Sequence, residues 1–368
     1  MSVQPRSVVT ACVEASERRA RAWTLTAPDF FTDVETLRLR FATLLGSDGD
    51  NIAVVPAASY GIATAARNVT VRPGQKILVL AGQFPSHYYS WARLAKERDA
   101  ELCTVGSPME LDWTSAILES IATHKDAIAV AALPNHHWST GAPVDLQVVC
   151  DELRSVGATV VLDVTQTLGA CPFDLAAIRP DYLVAAGYKW LFCPYGVSFL
   201  YVADAHLDGI PLEESWANRA GSDDFAGLVD YCDDYQPGAR RYDVGERANF
   251  AALPGAIAAI EQILDWQVER ISDRLNQTNE KIVEIFREHG FSIPGRDQRA
   301  PHFLGMTIPD SCEVSLVERL AAHNVFVSQR GKSLRVAPHL HNDDEDLHRL
   351  AKALDRVVGQ SMPQEARR

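Results

Sequence analysis

Two chemically reactive side chains follow two apolar runs in the middle of the chain. The run at residues 159–162 ends in Asp163, and the run at residues 182–186 is followed three positions later by Lys189. Short β-branched runs of this kind are typical of buried parallel strands. Ligands of open α/β sheets bind just outside the carboxyl ends of such strands. The sequence therefore predicts that Asp163 and Lys189 act on one bound molecule.

Each of these two residues also has a structural alternative. A lysine sheltered at a strand end loses its proton more readily than a solvated lysine, which makes it an amine nucleophile. Lys189 could instead cap a turn at the surface. Asp163 could be the N-cap of a following helix. Asp163 and Lys189 alone do not decide between the chemical roles and these structural alternatives.

Apolar runs and helical patterns alternate on both sides of this pair. About seven short apolar runs alternate with amphipathic segments, which favours an α/β fold with a mostly parallel, doubly wound sheet. We expect strands at residues 52–55, 76–80, 102–105, 127–133, 159–162, 182–186 and 197–202. Asp163 and Lys189 then lie at the carboxyl edge of one large sheet.

The chain is predicted to divide into three segments. Residues 1–45 form an N-terminal helical segment that packs with the small domain, residues 46–250 form the large domain, and residues 251–368 form a smaller C-terminal α/β domain. In that domain a long helical pattern begins at Leu253 and continues beyond Ile271. Strands are expected near residues 302–306, 325–328 and 334–336, and helices near residues 314–322 and 343–357.

The composition is that of an ordinary globular enzyme, and it argues against several function classes. The net charge of −13 argues against binding of nucleic acid or anionic membranes, which need a basic face. No apolar stretch approaches the ~20 residues that span a bilayer, and the first 23 residues lack the apolar core of a secretion signal. We therefore expect a cytoplasmic protein. Seven cysteines without a C-x-x-C pair indicate neither a disulfide framework nor a zinc site.

The turn from the first strand into a helix is a candidate anion site. Ala58 and Ser59 follow the strand at residues 52–55. Free N–H groups at a helix start bind anions, and a serine hydroxyl adds a donor. A serine at such a position is more often only an N-cap, so this motif alone does not establish a phosphate site.

Together, these motifs resemble the signature of class V aminotransferases. Gln166 follows Asp163 by three residues, Lys189 follows Asp163 by twenty-six, and Pro194 and Gly196 come shortly after. The family consists of pyridoxal-phosphate (PLP) enzymes of fold type I and includes kynureninases, cysteine desulfurases and isopenicillin N epimerase-like proteins. The resemblance extends from about residue 41 to 350. It implies PLP as the cofactor and a homodimer with active sites at the interface.

The resemblance implies a role for each matching residue. Lys189 would bind PLP covalently, and Asp163 would keep the pyridine nitrogen protonated so that the ring accepts electrons from the substrate. Gln166 would hydrogen-bond the phenolic oxygen of the cofactor. The other implied cofactor contacts are Ala58, Ser59 and Tyr188 at the phosphate, Phe84 stacked on the ring and Trp138 over its phenolic edge. A phenylalanine in a loop is otherwise a core residue.

A C-terminal segment resembles the part of the family that binds the substrate carboxylate. Arg335 matches the arginine of this segment, and its planar guanidinium suits bidentate binding of a carboxylate. The alternative is a strand arginine in a salt bridge. If Arg335 holds the carboxylate, it determines which Cα bond stands perpendicular to the ring. Lys189 can then carry the Cα proton as a general base. Arg330 is a candidate for binding a second substrate anion.

Two positions depart from the family pattern at the phosphate end. Many relatives have serine or threonine three residues before the lysine, where this chain has Ala186. The Gly-Thr pair that a neighbouring subunit usually contributes is Gly245-Glu246 here. A glutamate would repel phosphate, so Glu246 must point elsewhere or another side chain must compensate. The candidates for compensation are Arg240, Arg241, Arg247 and Asn249.

Cysteine and histidine motifs give weaker indications. Cysteine desulfurases use a mobile-loop cysteine ahead of the substrate arginine, and this chain offers Cys312, directly before a helix predicted near Val314. That position argues against desulfuration. His136 and His137 have no carboxylate or cysteine at ligand spacing, which argues against a metal site. We expect these histidines to line the pocket or to face solvent.

The leading functional prediction is a PLP-dependent aminotransferase that acts on an amino acid. Transamination needs only Lys189, Asp163 and a carboxylate clamp. Elimination, kynureninase-like Cβ cleavage and epimerisation use the same carbanion and stay open as alternatives. A non-catalytic scaffold or regulator with the same fold is disfavoured, because nothing structural requires the complete set of site residues. A nucleotide-binding dehydrogenase is also disfavoured, because the first strand–helix turn lacks G-x-G-x-x-G.

Overall fold

The computed structural model describes residues 2–309 and 316–358. Within these residues the large sheet has seven strands, each ending within one residue of its predicted position. They are β1 (Ile52–Val55), β2 (Lys76–Leu80), β3 (Glu101–Val105), β4 (Ile128–Pro134), β5 (Thr159–Asp163), β6 (Tyr182–Ala186) and β7 (Ser198–Val202). The patterns of buried apolar residues therefore located this sheet correctly.

The sheet is mostly parallel, as predicted. The strand order is β1-β7-β6-β5-β4-β2-β3. Only β7 is antiparallel to its neighbours β6 and β1, so the other strands of the sheet run in one direction. This topology confirms the predicted α/β fold class with a doubly wound sheet.

Helices cover both faces of the sheet. Leu78 and Leu80 in β2 face one apolar core, while Ile77 and Val79 face the other. A strand buried on both faces needs a continuous apolar run, which explains why these strands were recognisable. The described helices are α1 (Arg6–Arg19), α2 (Asp29–Leu45), α3 (Ala58–Asn68), α4 (Tyr89–Glu97), α5 (Trp113–His124), α6 (Leu146–Ser155), α7 (Leu175–Ile178), α8 (Leu253–Trp266), α9 (Val268–Glu288), α10 (Leu316–Ala321) and α11 (Asp344–Val358).

A small antiparallel sheet follows α9. Its strands are β8 (Leu304–Thr307), β9 (Ser328–Arg330) and β10 (Ser333–Val336), in the order β8-β10-β9. Leu334 and Val336 point into a third apolar core that includes residues of α9 and α11. Because side chains alternate along a strand, Ser333 and Arg335 point to the opposite face. This sheet therefore presents one apolar and one polar face.

The long helical pattern predicted from Leu253 is two helices. Gln267, with φ of 65°, separates α8 from α9. The buried residues of α8 belong to the same core as the large sheet and pack with α1 and α2. The later half of α9, with Ile282 and Phe286, joins the third core instead. The division of the chain at residues 45 and 250 stays a prediction.

The strand predicted at residues 325–328 begins at Ser328. The hairpin turn at Gly331, with φ of 55°, pairs Arg330 with Ser333 and fixes the position of this strand. Phe326, within the predicted range, is 80% exposed. The prediction was wrong here because the paired residues Ser-Gln-Arg carry no apolar pattern.

Cys312 and the predicted helix start near Val314 lie outside the described residues. Among the described cysteines, most are buried, as expected for small apolar side chains. In the described ranges, no helix combines the length and apolar character that crossing a bilayer requires.

Candidate active site

The predicted site residues leave the sheet at one edge. Ser198 of β7 pairs with Val55 on one side and with Ala186 on the other. The start of α3 and the loop that carries Lys189 therefore emerge at the same end of the sheet. Asp163 pairs with Pro134 and Val184, so the ends of β4, β5 and β6 meet there as well.

Five of the predicted residues line one cavity at this edge. These are Phe84, Trp138, Asp163, Gln166 and Lys189. Gln166 and Lys189 also line an adjoining cavity of about 570 Å³, to which the small sheet contributes Arg335. The structure thus joins side chains from the ends of four different strands and from the small sheet.

Lys189 is largely withdrawn from water. Burial lowers the pKa of its amine to about 8, although Asp163 opposes this effect. Its Nζ lies 5.1 Å from the centroid of the Phe84 ring and 6.0 Å from that of Tyr188. Ser2 Oγ donates a hydrogen bond to the Lys189 carbonyl oxygen. The alternative of a surface lysine that caps a turn is therefore wrong.

Asp163 is the last residue of β5. Its Oδ1 accepts a hydrogen bond from the Thr165 N–H at 2.9 Å. Turns follow rather than a helix, so the alternative of a helix N-cap is wrong. Within the described ranges, Oδ2 has no hydrogen-bond partner, which leaves one carboxylate oxygen available to a bound molecule.

Gln166 and Arg335 are hydrogen-bonded to each other across the two sheets. Arg335 Nη2 donates to Gln166 Oε1 at 3.0 Å, while Gln166 Nε2 is buried without a partner. Burial, followed by repulsion from Arg330, lowers the pKa of Arg335 to about 10. Within residues 2–309 and 316–358, Arg335 bonds to Gln166 and forms no ion pair with an acidic side chain, which favours a free guanidinium over the salt-bridge alternative.

Phe84 and Trp138 form an aromatic wall of the cavity. Their rings meet edge to face, with centroids 5.4 Å apart. Trp138 Nε1 donates to the Gly82 carbonyl oxygen at 2.7 Å, which ties the loops after β2 and β4 together. Phe84 is therefore not a core residue but part of the cavity lining.

Ala58 and Ser59 form the first turn of α3. Ala57 occupies the N-cap position and makes no side-chain cap hydrogen bond. Ser59 is exposed and lies inside the helix, so it is not the N-cap. The N–H groups of a first helical turn have no partners within the helix, which leaves this turn able to bind an anion.

The arginines near Glu246 are already engaged. Arg240 pairs with Glu35 and Asp50, Arg241 with Asp208, and Arg247 with Asp243. Asn249 Oδ1 accepts a hydrogen bond from the Ala252 N–H at 3.1 Å. Glu246 itself is exposed. All four candidates thus have partners within their own chain, and compensation for Glu246 stays a prediction.

His87 is a site residue that the sequence did not identify. It is fully buried in the cavity wall, and Trp91 Nε1 donates to its Nδ1 at 3.5 Å. Its Nε2 is buried without a hydrogen-bond partner in the described part of the chain. Burial lowers the pKa of His87, whereas the Asp163 carboxylate opposes this shift. In the sequence, only the i, i+4 spacing between His87 and Trp91 could have indicated that the two side chains are in contact.

The two adjacent histidines have different positions. His136 lines the cavity, and its Nδ1 lies 3.1 Å from Thr167 Oγ1. His137 is buried and stacks on Trp113 with ring centroids 5.1 Å apart. The expectation of a pocket or surface position is therefore correct for His136 and wrong for His137.

The unsatisfied groups of this cavity fit PLP. Buried polar groups without partners are costly unless a ligand satisfies them. Among the described residues Gln166 Nε2 is such a group, and Asp163 Oδ2 and the N–H groups of Ala58 and Ser59 are also without partners. A pyridinium nitrogen, a phenolic oxygen and a phosphate would complement these donors and acceptors together with Lys189.

The seven-stranded sheet with this site defines an α/β enzyme of fold type I. The chain belongs to the class V aminotransferase family, because the sequence pattern described as Aminotransferase class-V matches residues 2–345 of its 368. This membership confirms the predicted family and the predicted PLP-dependent enzyme class with its cofactor. The reaction within the class is a separate question.

Named relatives lie at low sequence identity. An uncharacterised aminotransferase of Bacillus subtilis is 24% identical over 342 residues, which cover 89% of this chain and 84% of the relative. Isopenicillin N epimerase of Streptomyces clavuligerus is 23% identical over 346 residues, which cover 88% of this chain and 84% of the relative. The structure of a cysteine desulfurase from Thermococcus onnurineus NA1 superimposes with a TM-score of 0.83 at 17% identity. The superposition covers 98% of this chain and 93% of the desulfurase chain. The last similarity concerns the fold.

Proposed function

We propose that the protein is a PLP-dependent aminotransferase that acts on an amino acid. The observation that carries this proposal is one cavity that holds the desolvated Lys189 together with Asp163. It adjoins a second cavity lined by Arg335, which forms no ion pair among the described residues. When bound, PLP accepts electrons from the substrate Cα. Transamination would convert the amino acid into a 2-oxo acid and an acceptor 2-oxo acid into an amino acid, with PLP as the carrier of the amino group.

The chain's own residues have distinct tasks in this reaction. Arg335 holds the substrate carboxylate, and Lys189, which is neutral more often than a solvated lysine, binds the cofactor and moves the proton at Cα. Asp163 would hold the ring nitrogen of PLP in its protonated form through the Oδ2 that has no partner among the described residues. Phe84 covers the ring and excludes water. The first turn of α3, with Ala58 and Ser59, holds the phosphate together with Tyr188.

A single-turnover experiment tests the reaction. The PLP-loaded protein is mixed with a panel of amino acids without an acceptor, and the 2-oxo acid, ammonia and the inverted amino acid are quantified. An aminotransferase releases up to one 2-oxo acid per active site and no ammonia. Ammonia released with pyruvate or with an aromatic acid would instead identify a lyase and contradict the proposal.

Epimerisation is the second candidate because one relative is named isopenicillin N epimerase. It uses the same proton removal at Cα but returns the proton to the opposite face. Exchange of the Cα proton with D2O and equal loss of optical rotation, with no 2-oxo acid, would favour it over transamination.

A homodimer is proposed as the working unit. Support comes from the family resemblance and from large apolar side chains that are open to solvent, including Tyr195 (74% exposed), Val229 (79%) and Tyr231 (97%). In the arrangement that the family resemblance implies, the second copy would also bring its residues 245–249 toward the phosphate. Light scattering is expected to give twice the mass of one chain, and a monomeric mass at micromolar concentration would contradict the dimer.

A further inference from the structure

We propose that the preferred substrate is an amino acid with a second carboxylate in its side chain, and that Arg330 binds this distal carboxylate. The inference rests on the proposed function and specifies the substrate class of the same site. It follows from the geometry of the small sheet, from its unbalanced charge and from the order of strands in the large sheet.

The geometry places two arginines on one face of a hairpin. Arg330 in β9 pairs directly with Ser333 in β10, and Arg335 lies two residues beyond Ser333. Directly paired residues and residues two apart share a face of a sheet. Ser333 Oγ donates to the Ser139 carbonyl oxygen at 3.1 Å, so this face is turned toward the loop that carries Trp138.

Among the described residues, no acidic side chain balances the charge of this face. Arg330 repels Arg335 and contributes to lowering the pKa of Arg335 and of Lys189. Among the described residues, Arg330 donates only to the Gln329 carbonyl oxygen, and neither arginine pairs with an acid. Arg330 is exposed and lies diagonal to Arg335, so water screens part of this repulsion and a smaller cost remains. Two anionic groups of a ligand would remove that cost, one at each guanidinium.

The cofactor phosphate is not the second anion. The phosphate turn on α3 follows β1, at one edge of the sheet order β1-β7-β6-β5-β4. The guanidinium of Arg330 lies 5.6 Å from the ring centroid of Trp138, and Trp138 follows β4 on the other side of β5 and β6. Asp163 and Lys189, at the ends of β5 and β6, therefore stand between the phosphate turn and Arg330.

The guanidinium of Arg330 and its contact with Trp138 indicate which chemical group would bind there. Contact with the Trp138 ring holds the guanidinium at the rim of the cavity. A planar guanidinium matches a carboxylate through two parallel hydrogen bonds. The substrate α-carboxylate at Arg335 and a side-chain carboxylate at Arg330 would both be satisfied by glutamate- or aspartate-like amino acids.

The test compares acidic substrates with their neutral isosteres in the PLP-loaded enzyme. Wild type is expected to prefer glutamate over glutamine or aspartate over asparagine. Arg330→Gln is expected to lower kcat/KM for the acid by about 10- to 100-fold, mainly through KM, with less than about a threefold change for the amide. Lys332→Gln, an exposed cation in the same turn, is the matched control and is expected to change neither.

A binding measurement keeps this inference separate from the reaction. Calorimetric titration of the cofactor-free protein with glutarate and with butyrate needs no turnover. Tighter binding of glutarate that Arg330→Gln abolishes and Lys332→Gln retains supports the inference, even where amino-group transfer itself fails. Equal binding of the two acids by wild type, or equal losses for glutamate and glutamine in Arg330→Gln, would overturn it.

Discussion

The pKa of Lys189 is set by burial and by three neighbouring charges, of which only that of Asp163 opposes burial. Burial lowers the pKa of its amine to about 8, Asp163 raises it, and Arg335 and Arg330 lower it further. At pH 7 about one lysine in ten is then neutral, against fewer than one in a thousand at the ordinary pKa. This residue is therefore prepared as a nucleophile before any ligand binds.

The pH dependence of PLP capture follows from this balance. Because only the neutral amine attacks, the rate of covalent capture is expected to rise about tenfold per pH unit below pH 8 and to level off above it. Stopped-flow absorbance measures this profile. Since Asp163 raises the lysine pKa, Asp163→Asn is expected to move the midpoint to lower pH. A midpoint near the ordinary lysine value would contradict the desolvated state.

Arg335 is proposed to bind the substrate carboxylate, so its substitution should affect only substrates that carry this group. Loss of a charge-assisted hydrogen bond costs about 1.5–3 kcal/mol, so Arg335→Gln is expected to reduce kcat/KM for amino acids by about 10- to 100-fold. Amines that lack the carboxylate are expected to be unaffected by the substitution. Steady-state measurements of kcat/KM for each amino acid and for the matching amine, in wild type and in Arg335→Gln, test this selectivity. Equal losses for both kinds of substrate would assign Arg335 a structural role.

At the scale of elements, close approach between the small sheet and a loop of the large domain positions Arg335. Gly305 in β8 pairs with Arg335, and its N–H donates to the Thr140 carbonyl oxygen at 3.1 Å. A Cβ at Gly305 would lie 2.5 Å from Thr140 Cα. The backbone contact therefore requires glycine, and it sets how far Arg335 reaches toward Gln166.

Gly305→Ala is expected to displace β8 and β10 from this loop. Overpacking of this kind costs about 1–3 kcal/mol and should raise KM for amino acids with little change in PLP capture. Denaturant unfolding and kinetics measure the two effects. Gly106→Ala is the matched control, because its added Cβ meets no atom within 4 Å. Comparable changes in stability and KM for Gly305→Ala and Gly106→Ala would contradict the proposal that Gly305 positions Arg335.

Local patterns predicted the large sheet better than the small one. β4 and β6 are continuous runs of buried residues, so their apolar character alone locates them. β9 contains only Ser-Gln-Arg and exists because of its pairing with β10, which no local pattern records. His87 was missed for a related reason. Its proximity to Asp163 depends on how β2 and β5 are arranged in the sheet, which is not a local property.

At the scale of the whole molecule, a buried ion network connects α2 to the segment before α8. Arg38 and Asp243 are completely buried and paired at 2.6 Å, and Arg247 pairs with the same carboxylate. Asp243 Oδ1 also accepts from the Val54 N–H of β1. Arg247 is engaged by Asp243 in this network, and compensation for Glu246 by Arg247 stays a prediction.

Asp243→Asn would leave the buried guanidinium of Arg247 without a carboxylate and that of Arg38 with only the partly exposed Glu35. Removal of one partner from a buried ion pair costs about 3–5 kcal/mol, so a large loss of unfolding free energy is expected. Glu97→Gln, in the exposed pair with Arg93, is the control and is expected to change stability by less than about 1 kcal/mol. Urea unfolding compares the two. A small loss for Asp243→Asn would show that the network does not anchor this segment.

The most direct test of the account is the identity of the lysine that binds PLP. The protein is incubated with PLP, reduced with borohydride and digested, and the modified peptide is located by mass spectrometry. We expect the pyridoxyl group on Lys189 in wild type and in the exposed-lysine control Lys96→Ala, and no modification at this site or elsewhere in Lys189→Ala. Stoichiometric modification of another lysine, or label retained in Lys189→Ala, would contradict the proposed active site.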